Sequence, residues 1–280
     1  MIKRARLLLL TFGALLGLAA PAAATTDYVS LGDSATAGPL IPTQIRPFGC
    51  YKSSNNYPHL TARALGLALA DPSCSGAKTG DMTSPQSIDF DGPNRPQFDS
   101  LSRKTDAVTL QIGGNDIGFS SISQGCISAW PYGSPCKDRY VVDGTDELSE
   151  RIQAAAPRVA AVIQGIHDRS PRAQVFVVNY AAILPDTGLG CWPQLPYAYD
   201  DVPYLRAKHQ ELNDMMADQA AANGAGLIDW YTASIGHDAC RGPLVRWVEP
   251  WIPLNPAAPL HPNLRGMRGA SNLLVAALSR

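Results

Sequence analysis

Several things are missing from this 280-residue chain, and each absence narrows what it can do. It has no basic stripe, so the electrostatic footprint of a nucleic-acid partner is lacking. It has no His-Glu-x-x-His or similar ligand spacing and no nucleotide-binding glycine loop, so neither a metal nor a cofactor is expected. After the first residues there is no second apolar span, so no stable membrane anchor is expected. Composition does not shift partway along, which argues for one domain.

The N-terminus is built differently from the rest. Lys3, Arg4 and Arg6 precede an apolar run from Leu7 to Ala20, and Ala22-Ala23-Ala24 follows as a small-residue cleavage site. The run is shorter than the roughly 20 residues that span a bilayer, and Pro21 closes it. Residues 1–24 therefore read as a secretory signal peptide, and residues 25–280 as a single exported domain, with wall retention or release left open. Removal of residues 1–24 takes three of the 23 basic residues and none of the 24 acidic ones, leaving a mildly acidic protein.

Six cysteines remain: Cys50, Cys74, Cys126, Cys136, Cys191 and Cys240. An even count in an oxidising compartment argues for three disulfides, although about 15 pairings are possible. Nearest-neighbour pairing, Cys50–Cys74, Cys126–Cys136 and Cys191–Cys240, would close three segments too irregular to hold themselves by backbone hydrogen bonds. Each bridge would stabilise the fold by about 2–4 kcal/mol, mainly by restricting the unfolded chain.

Tyr28–Gly32 is an apolar strand running into Asp33-Ser34, and the glycine reads as a sharp turn. A Pro-rich loop over 39–58 leads to a helix from Tyr57 to about Leu65, stopped by Gly66. Short strands are expected at 67–70 and 106–112, the second ending in Gly113-Gly114-Asn115-Asp116. Threefold and fourfold spacing of Leu148, Ile152, Val159, Ile163 and Ile166 predicts a helix over 146–167, which Pro157 should kink or divide. A β-branched run over 173–180, a helix over 204–223, a strand over 226–230 and a C-terminal helix over 266–278 complete the pattern. Strands alternating with helices predict an α/β fold whose parallel sheet is covered on both faces, with the polar loops leaving one edge.

A hydrolase that attacks a carbonyl needs a nucleophile, a base to take its proton and donors aimed at the oxyanion that forms. Ser34, at a strand's C-terminal end, stands in the crevice where open α/β sheets place ligands. Among five histidines, His59, His167, His209 and His237 read as surface or packing residues. His261 lies in a loop before the last helix and is followed by Pro262-Asn263. Read alone, Gly-Asp-Ser is an ordinary turn or helix cap and Gly-Gly-Asn-Asp an ordinary tight turn.

Together, Gly32-Asp33-Ser34, Gly80, Gly113-Gly114-Asn115-Asp116 and His261-Pro262-Asn263 resemble, in order and rough spacing over the whole mature chain, the four blocks of the SGNH (GDSL-type) hydrolases. The cysteine pattern with His237-Asp238-Ala239-Cys240 resembles the secreted actinobacterial lipases and esterases. The resemblance implies a three-layer α/β/α sandwich of flavodoxin-like form and a secreted serine ester hydrolase. It implies Ser34 as nucleophile, His261 as base, and an oxyanion hole from the Ser34 and Gly80 N–H groups and the Asn115 amide. A small-molecule or lipid ester would be the partner, and a monomer is expected.

Two positions depart from the family pattern. Ala35 follows the serine where Leu is expected. Ala258 stands where an Asp three residues before the histidine would orient its ring. A backbone carbonyl within 258–260 could accept the imidazole Nδ1–H in its place and still select the tautomer. A distant carboxylate, Asp229, Asp238 or Glu249, is the other candidate, and a degraded site the third. Trp130, Trp192, Trp247, Trp251, Tyr197, Tyr199 and Leu254 either wall an acyl pocket or pack on the disulfides. Lipase, phospholipase A and carbohydrate acyl esterase all fit this outline. A catalytically silent glycan- or lipid-binding module is the alternative of another class.

Overall fold

The structure, a computed structural model, describes residues 26–279. The export segment expected over 1–24 lies outside the described residues. Five parallel strands form the sheet: β1 (Asp27–Gly32), β2 (Ala68–Ala70), β3 (Ala107–Gln111), β4 (Gln174–Val178) and β5 (Gly226–Ile228), in the order β2-β1-β3-β4-β5. The register pairs Tyr28 with Ala107 and Gly32 with Gln111, so β1 and β3 end level. Tyr28, Leu31, Val108, Leu110 and Val177 are fully buried, as continuous apolar strands between two helical layers must be.

Among the described residues there are eight α-helices: α1 (Ser34–Ala37), α2 (Tyr57–Leu65), α3 (Phe119–Gly125), α4 (Pro135–Tyr140), α5 (Glu147–Arg169), α6 (Asp201–Ala222), α7 (Trp230–Ala233) and α8 (Leu264–Leu278). α2 packs on α8 and α5 on α6, giving the two layers of the α/β/α sandwich. Their ends follow from sequence. Asn56 caps α2 by accepting the His59 N–H, and Gly66 closes it at φ 67°. Asp146 caps α5, and Asn263 caps α8 by accepting from the Arg265 and Gly266 N–H groups.

Three local expectations differ from what is observed. Pro157 does not divide α5, which runs unbroken for 23 residues. Pro157 and Gln153 are both on the exposed side, so the carbonyl freed by the missing N–H faces water. Gly32 is needed for space, not for a left-handed turn: a Cβ there would lie 2.2 Å from Thr36 Oγ1. The short helices α3 and α4 fall in what reads as irregular loop, because neither is long enough to show a period.

The cysteines pair as Cys50–Cys74, Cys126–Cys136 and Cys191–Cys240. The last bridge ties the loop after β4 to the long segment after β5 that ends at His261. Among the described residues no helix is long and apolar enough to cross a membrane.

Candidate active site

Because all five strands are parallel, the loops that follow them gather at one edge of the sheet, and there Ser34 and His261 meet. His261 Nε2 lies 2.8 Å from Ser34 Oγ, across 227 residues of sequence. Its other ring nitrogen, Nδ1, lies 2.7 Å from the Pro259 carbonyl oxygen. A carbonyl can only accept, so Nδ1 carries the proton and Nε2 presents its lone pair to the serine hydroxyl. Burial lowers the His261 pKa and so favours the neutral ring, an effect the Pro259 bond partly opposes. Of the three candidate carboxylates none reaches the imidazole. Asp229 accepts from Asn179 and the Thr232 N–H, and Asp238 from the Cys240 N–H and Arg241.

Glu249 acts one step back. Its N–H donates to the His261 carbonyl and its carbonyl accepts from the Leu260 N–H, both at 3.0 Å, so the two chains run antiparallel beside each other. Its fully buried carboxylate accepts from Asn263 Nδ2 at 2.7 Å, Asn255 Nδ2 at 2.7 Å and the Leu254 N–H at 2.9 Å, and pairs with buried Arg246 at 2.9 Å. Burial alone would raise its pKa, but these hydrogen bonds hold it below the usual range.

On the serine side, Asp33 caps α1 by accepting the Ala35 N–H at 2.9 Å. The Ser34 N–H has no acceptor among the described residues. Tyr180 accepts the Gly114 N–H at 2.9 Å and donates to Asp33 Oδ2, linking the loop after β3 to the serine turn. Burial drives the Asp33 carboxyl up to about 7 against these hydrogen bonds. Gln97 clamps Gly32, its Oε1 accepting the Gly32 N–H at 2.8 Å and its Nε2 donating to the Gly32 carbonyl at 2.9 Å. This side chain stands where β2 has already ended.

The loop holding Gly80 is fastened to the Gly-Gly-Asn-Asp turn. Asn115 Nδ2 donates to the Ala77 carbonyl at 3.0 Å, leaving its second N–H unassigned to any acceptor. Asp116 accepts the Thr79 N–H at 3.0 Å and the Thr79 hydroxyl at 2.5 Å. The Gly80 N–H is free among the described residues, and a Cβ built on Gly80 would touch nothing within 4 Å. The space beside Gly80 is therefore open to a bound molecule.

Beside Ser34 lie two adjoining cavities that share Phe119, Ile183, His209, Leu212 and Leu260. The inner one continues past Ile122, Leu148 and Tyr197. Of the aromatics that the sequence offers as an acyl wall, only Tyr197 lines it. Trp247 stacks on His237 with ring centres 4.4 Å apart, Trp192 donates to the Ser128 carbonyl, and Trp251 donates to the Tyr197 hydroxyl. Trp130 and Leu254 are exposed. His209 is half-buried at the junction of the cavities and packs edge-on against Tyr231. Burial lowers its pKa to about 4, so it is neutral. Tyr180 and Gln97 escape a sequence reading, since each acts on a backbone group far away in the chain; Asp116 carries a local signal in Gly-Gly-Asn-Asp, and Glu249, a candidate partner of the imidazole by sequence, instead holds the loop that carries it.

Comparison with known proteins agrees with this geometry. Residues 30–268 match the model of the GDSL-like lipase/acylhydrolase family. The chain is 40% identical to Lipase 2 of Streptomyces coelicolor over 89% of its own length and 85% of that protein. The structure is similar to that of the extracellular lipase of Streptomyces rimosus, with a TM-score of 0.75 and 28% identity over 90% of this chain and 100% of the other. It is also similar to phospholipase A1 of Streptomyces albidoflavus, with a TM-score of 0.71 and 25% identity over 92% of this chain and 100% of the other.

Proposed function

The chain belongs to the GDSL-like lipase/acylhydrolase family and is a serine ester hydrolase; on that premise we propose that it cleaves carboxylic esters of lipids through an acyl-enzyme on Ser34, with His261 as the base. The 2.8 Å contact between His261 Nε2 and Ser34 Oγ carries this reading. Ser34 Oγ attacks the ester carbonyl carbon as His261 Nε2 takes its proton. The carbonyl oxygen, now an oxyanion, receives hydrogen bonds from the Ser34 and Gly80 N–H groups and the Asn115 amide. His261 returns the proton to the departing alkoxide, leaving Ser34 acylated. Water then attacks the acyl carbonyl with His261 again as base, releasing the acid and restoring the serine.

The Pro259 carbonyl holds the productive tautomer without placing a charge beside the imidazolium. The acyl chain occupies the apolar cavities beside Ser34, whose inner wall of Ile122, Leu148 and Tyr197 suits hydrocarbon. Three disulfides support action outside the cell, after export through residues 1–24 and as one domain over 25–280.

The test is hydrolysis of p-nitrophenyl esters from acetate to palmitate by the mature protein, with Ser34→Ala and His261→Ala alongside. Both substitutions should abolish turnover, and a fluorophosphonate should label the wild type but not Ser34→Ala. A folded wild type no faster than Ser34→Ala on every ester would sink the reading and favour a binding module. A profile peaking at acetate would move the substrate class toward acylated carbohydrate.

A further inference from the structure

The large apolar side chains that face solvent are unevenly distributed. Fifteen are exposed among the described residues, and α2, α5, α6 and α8 carry none of them. Eight fall within three segments, 119–136, 187–199 and 242–263, all of which leave the C-terminal edge of the sheet where Ser34 sits. Trp130 is 67% exposed, Ile252 75% and Leu254 68%.

These segments form one structure. The Ser128 N–H donates to the Pro196 carbonyl and the Tyr199 N–H to the Pro131 carbonyl, each at 2.7 Å, and the Trp251 N–H reaches the Gln194 carbonyl at 3.4 Å. Tyr132 packs edge-on against Tyr199, and Cys191–Cys240 ties the second segment to the chain just before the third. Their inward side chains, Phe119, Ile122, Tyr197, Val248 and Leu260, line the cavities beside Ser34. One collar thus walls the cavity inside and shows apolar side chains outside.

The collar also lacks charge. Segments 119–136 and 187–199 contain no Asp, Glu, Lys or Arg, and 242–263 contains only Arg246 and Glu249, which are buried and paired with each other; the exposed charges that border the segments, Lys137 and Arg241 against Asp186 and Asp200, balance. Hydrolysis of a dissolved ester requires only the inner wall. An outer rim of Trp, Tyr, Ile and Leu without charge is a liability in water unless something covers it. Aromatic and aliphatic tips of this kind are suited to the boundary between headgroups and acyl chains.

Resting on the ester-hydrolase reading above, we infer that this collar docks the catalytic edge onto a lipid aggregate of no net charge, so that ester lipid passes from the aggregate into the cavity. Attachment is apolar, with anionic lipid unnecessary and salt of little effect.

The experiment uses the mature wild-type protein and vesicles of a diether phosphatidylcholine, which has no ester to cleave. The protein should co-float with them, and raising salt from about 0.1 M to about 1 M should change partitioning less than about twofold. Trp130→Ser/Ile252→Ser/Leu254→Ser should lower partitioning, and turnover of ester phosphatidylcholine vesicles, by about tenfold or more. The same triple variant should keep wild-type melting and wild-type turnover of dissolved p-nitrophenyl butyrate. Leu227→Ser, an exposed leucine on the edge strand β5, should change nothing.

Failure of the wild type to float while it still turns over p-nitrophenyl butyrate would overturn the docking surface and leave the catalytic reading standing. Flotation only with anionic vesicles and loss of it in salt would overturn the uncharged partner, as would equal flotation of the triple variant. A concentration-dependent dimer that the triple variant loses, without flotation, would assign the collar to a second copy instead. Absence of turnover on the dissolved ester would strike the catalytic reading alone.

Discussion

Ser34 and His261 meet at one contact, yet the two halves of the site are held in different ways. Ser34 follows β1, whose backbone is fixed by neighbours on both sides and by the Gln97 amide at Gly32. His261 follows no strand and has a long run of loop before it. Its place is set by the Glu249 backbone alongside, by the Glu249 carboxylate gathering Asn255, Asn263 and Arg246, and by the start of α8. A sheet supplies backbone hydrogen bonds by repetition. A loop that must be equally well placed needs buried side chains to satisfy its polar groups one by one. The loop half should therefore be the more easily broken.

The largest effect is expected at Glu249. Glu249→Leu removes one partner of a buried ion pair and takes one of two acceptors from each of the Asn255 and Asn263 amides, which should destabilise the fold by about 3–5 kcal/mol and lower turnover with it. Urea unfolding checks this, and Glu249→Gln should lose less. Asn115→Ala, on the strand half, should cost less stability, about 1–3 kcal/mol for the lost bond to the Ala77 carbonyl, while kcat falls about 10²–10³-fold, the usual cost of one oxyanion donor. If Asn115→Ala unfolded the protein and Glu249→Leu did not, the contrast between the halves would be reversed.

Tyr180→Phe sharpens the comparison from the serine side. It leaves the Gly114 N–H and Asp33 Oδ2 without their shared hydroxyl, a loss of about 1–3 kcal/mol measurable by denaturation. Asp33 itself makes stability depend on pH. Its folded pKa of about 7 lies above the ordinary value of 3.8, so the folded form holds the proton more tightly. Its contribution is complete below about pH 4 and is lost as pH rises to about 7, at roughly 1.4 kcal/mol per pH unit. Asp33→Asn should flatten the stability curve over that window.

The smallest effect concerns His261. Its lowered pKa keeps the ring neutral in weak acid, so the acid limb of kcat/KM should fall below the ordinary histidine value of 6.5. A limb above 6.5 would mean that a carboxylate charge reaches the ring.

Much of the scaffold was legible because its signals are local. Strand runs such as 175–178 are continuous and apolar, helices repeat at threes and fours, and Asp146 and Gly66 mark two of their ends. The absence of Asp at Ala258 was legible too, as was the chance that a carbonyl replaces it. Tyr180 and Gln97 were not legible, since their partners lie 66 and 65 residues away. Nor was the cavity wall: the conspicuous Trp192, Trp247 and Trp251 pack within the loops, while Phe119, Leu212 and Leu260 line the cavity.

By itself, the sequence determined the alternation of strands and helices, and with it a parallel sheet that brings the Ser34, Gly80, Asn115 and His261 blocks to one edge. Those properties follow from periodicity, turn chemistry and handedness, which act over a few residues. Only the tertiary structure decided that Pro259 holds the imidazole, that Glu249 holds the loop, and which apolar side chains turn inward to the cavity or outward to solvent. Such choices depend on which atoms far apart in the chain come within hydrogen-bonding or packing distance, and no local pattern encodes that.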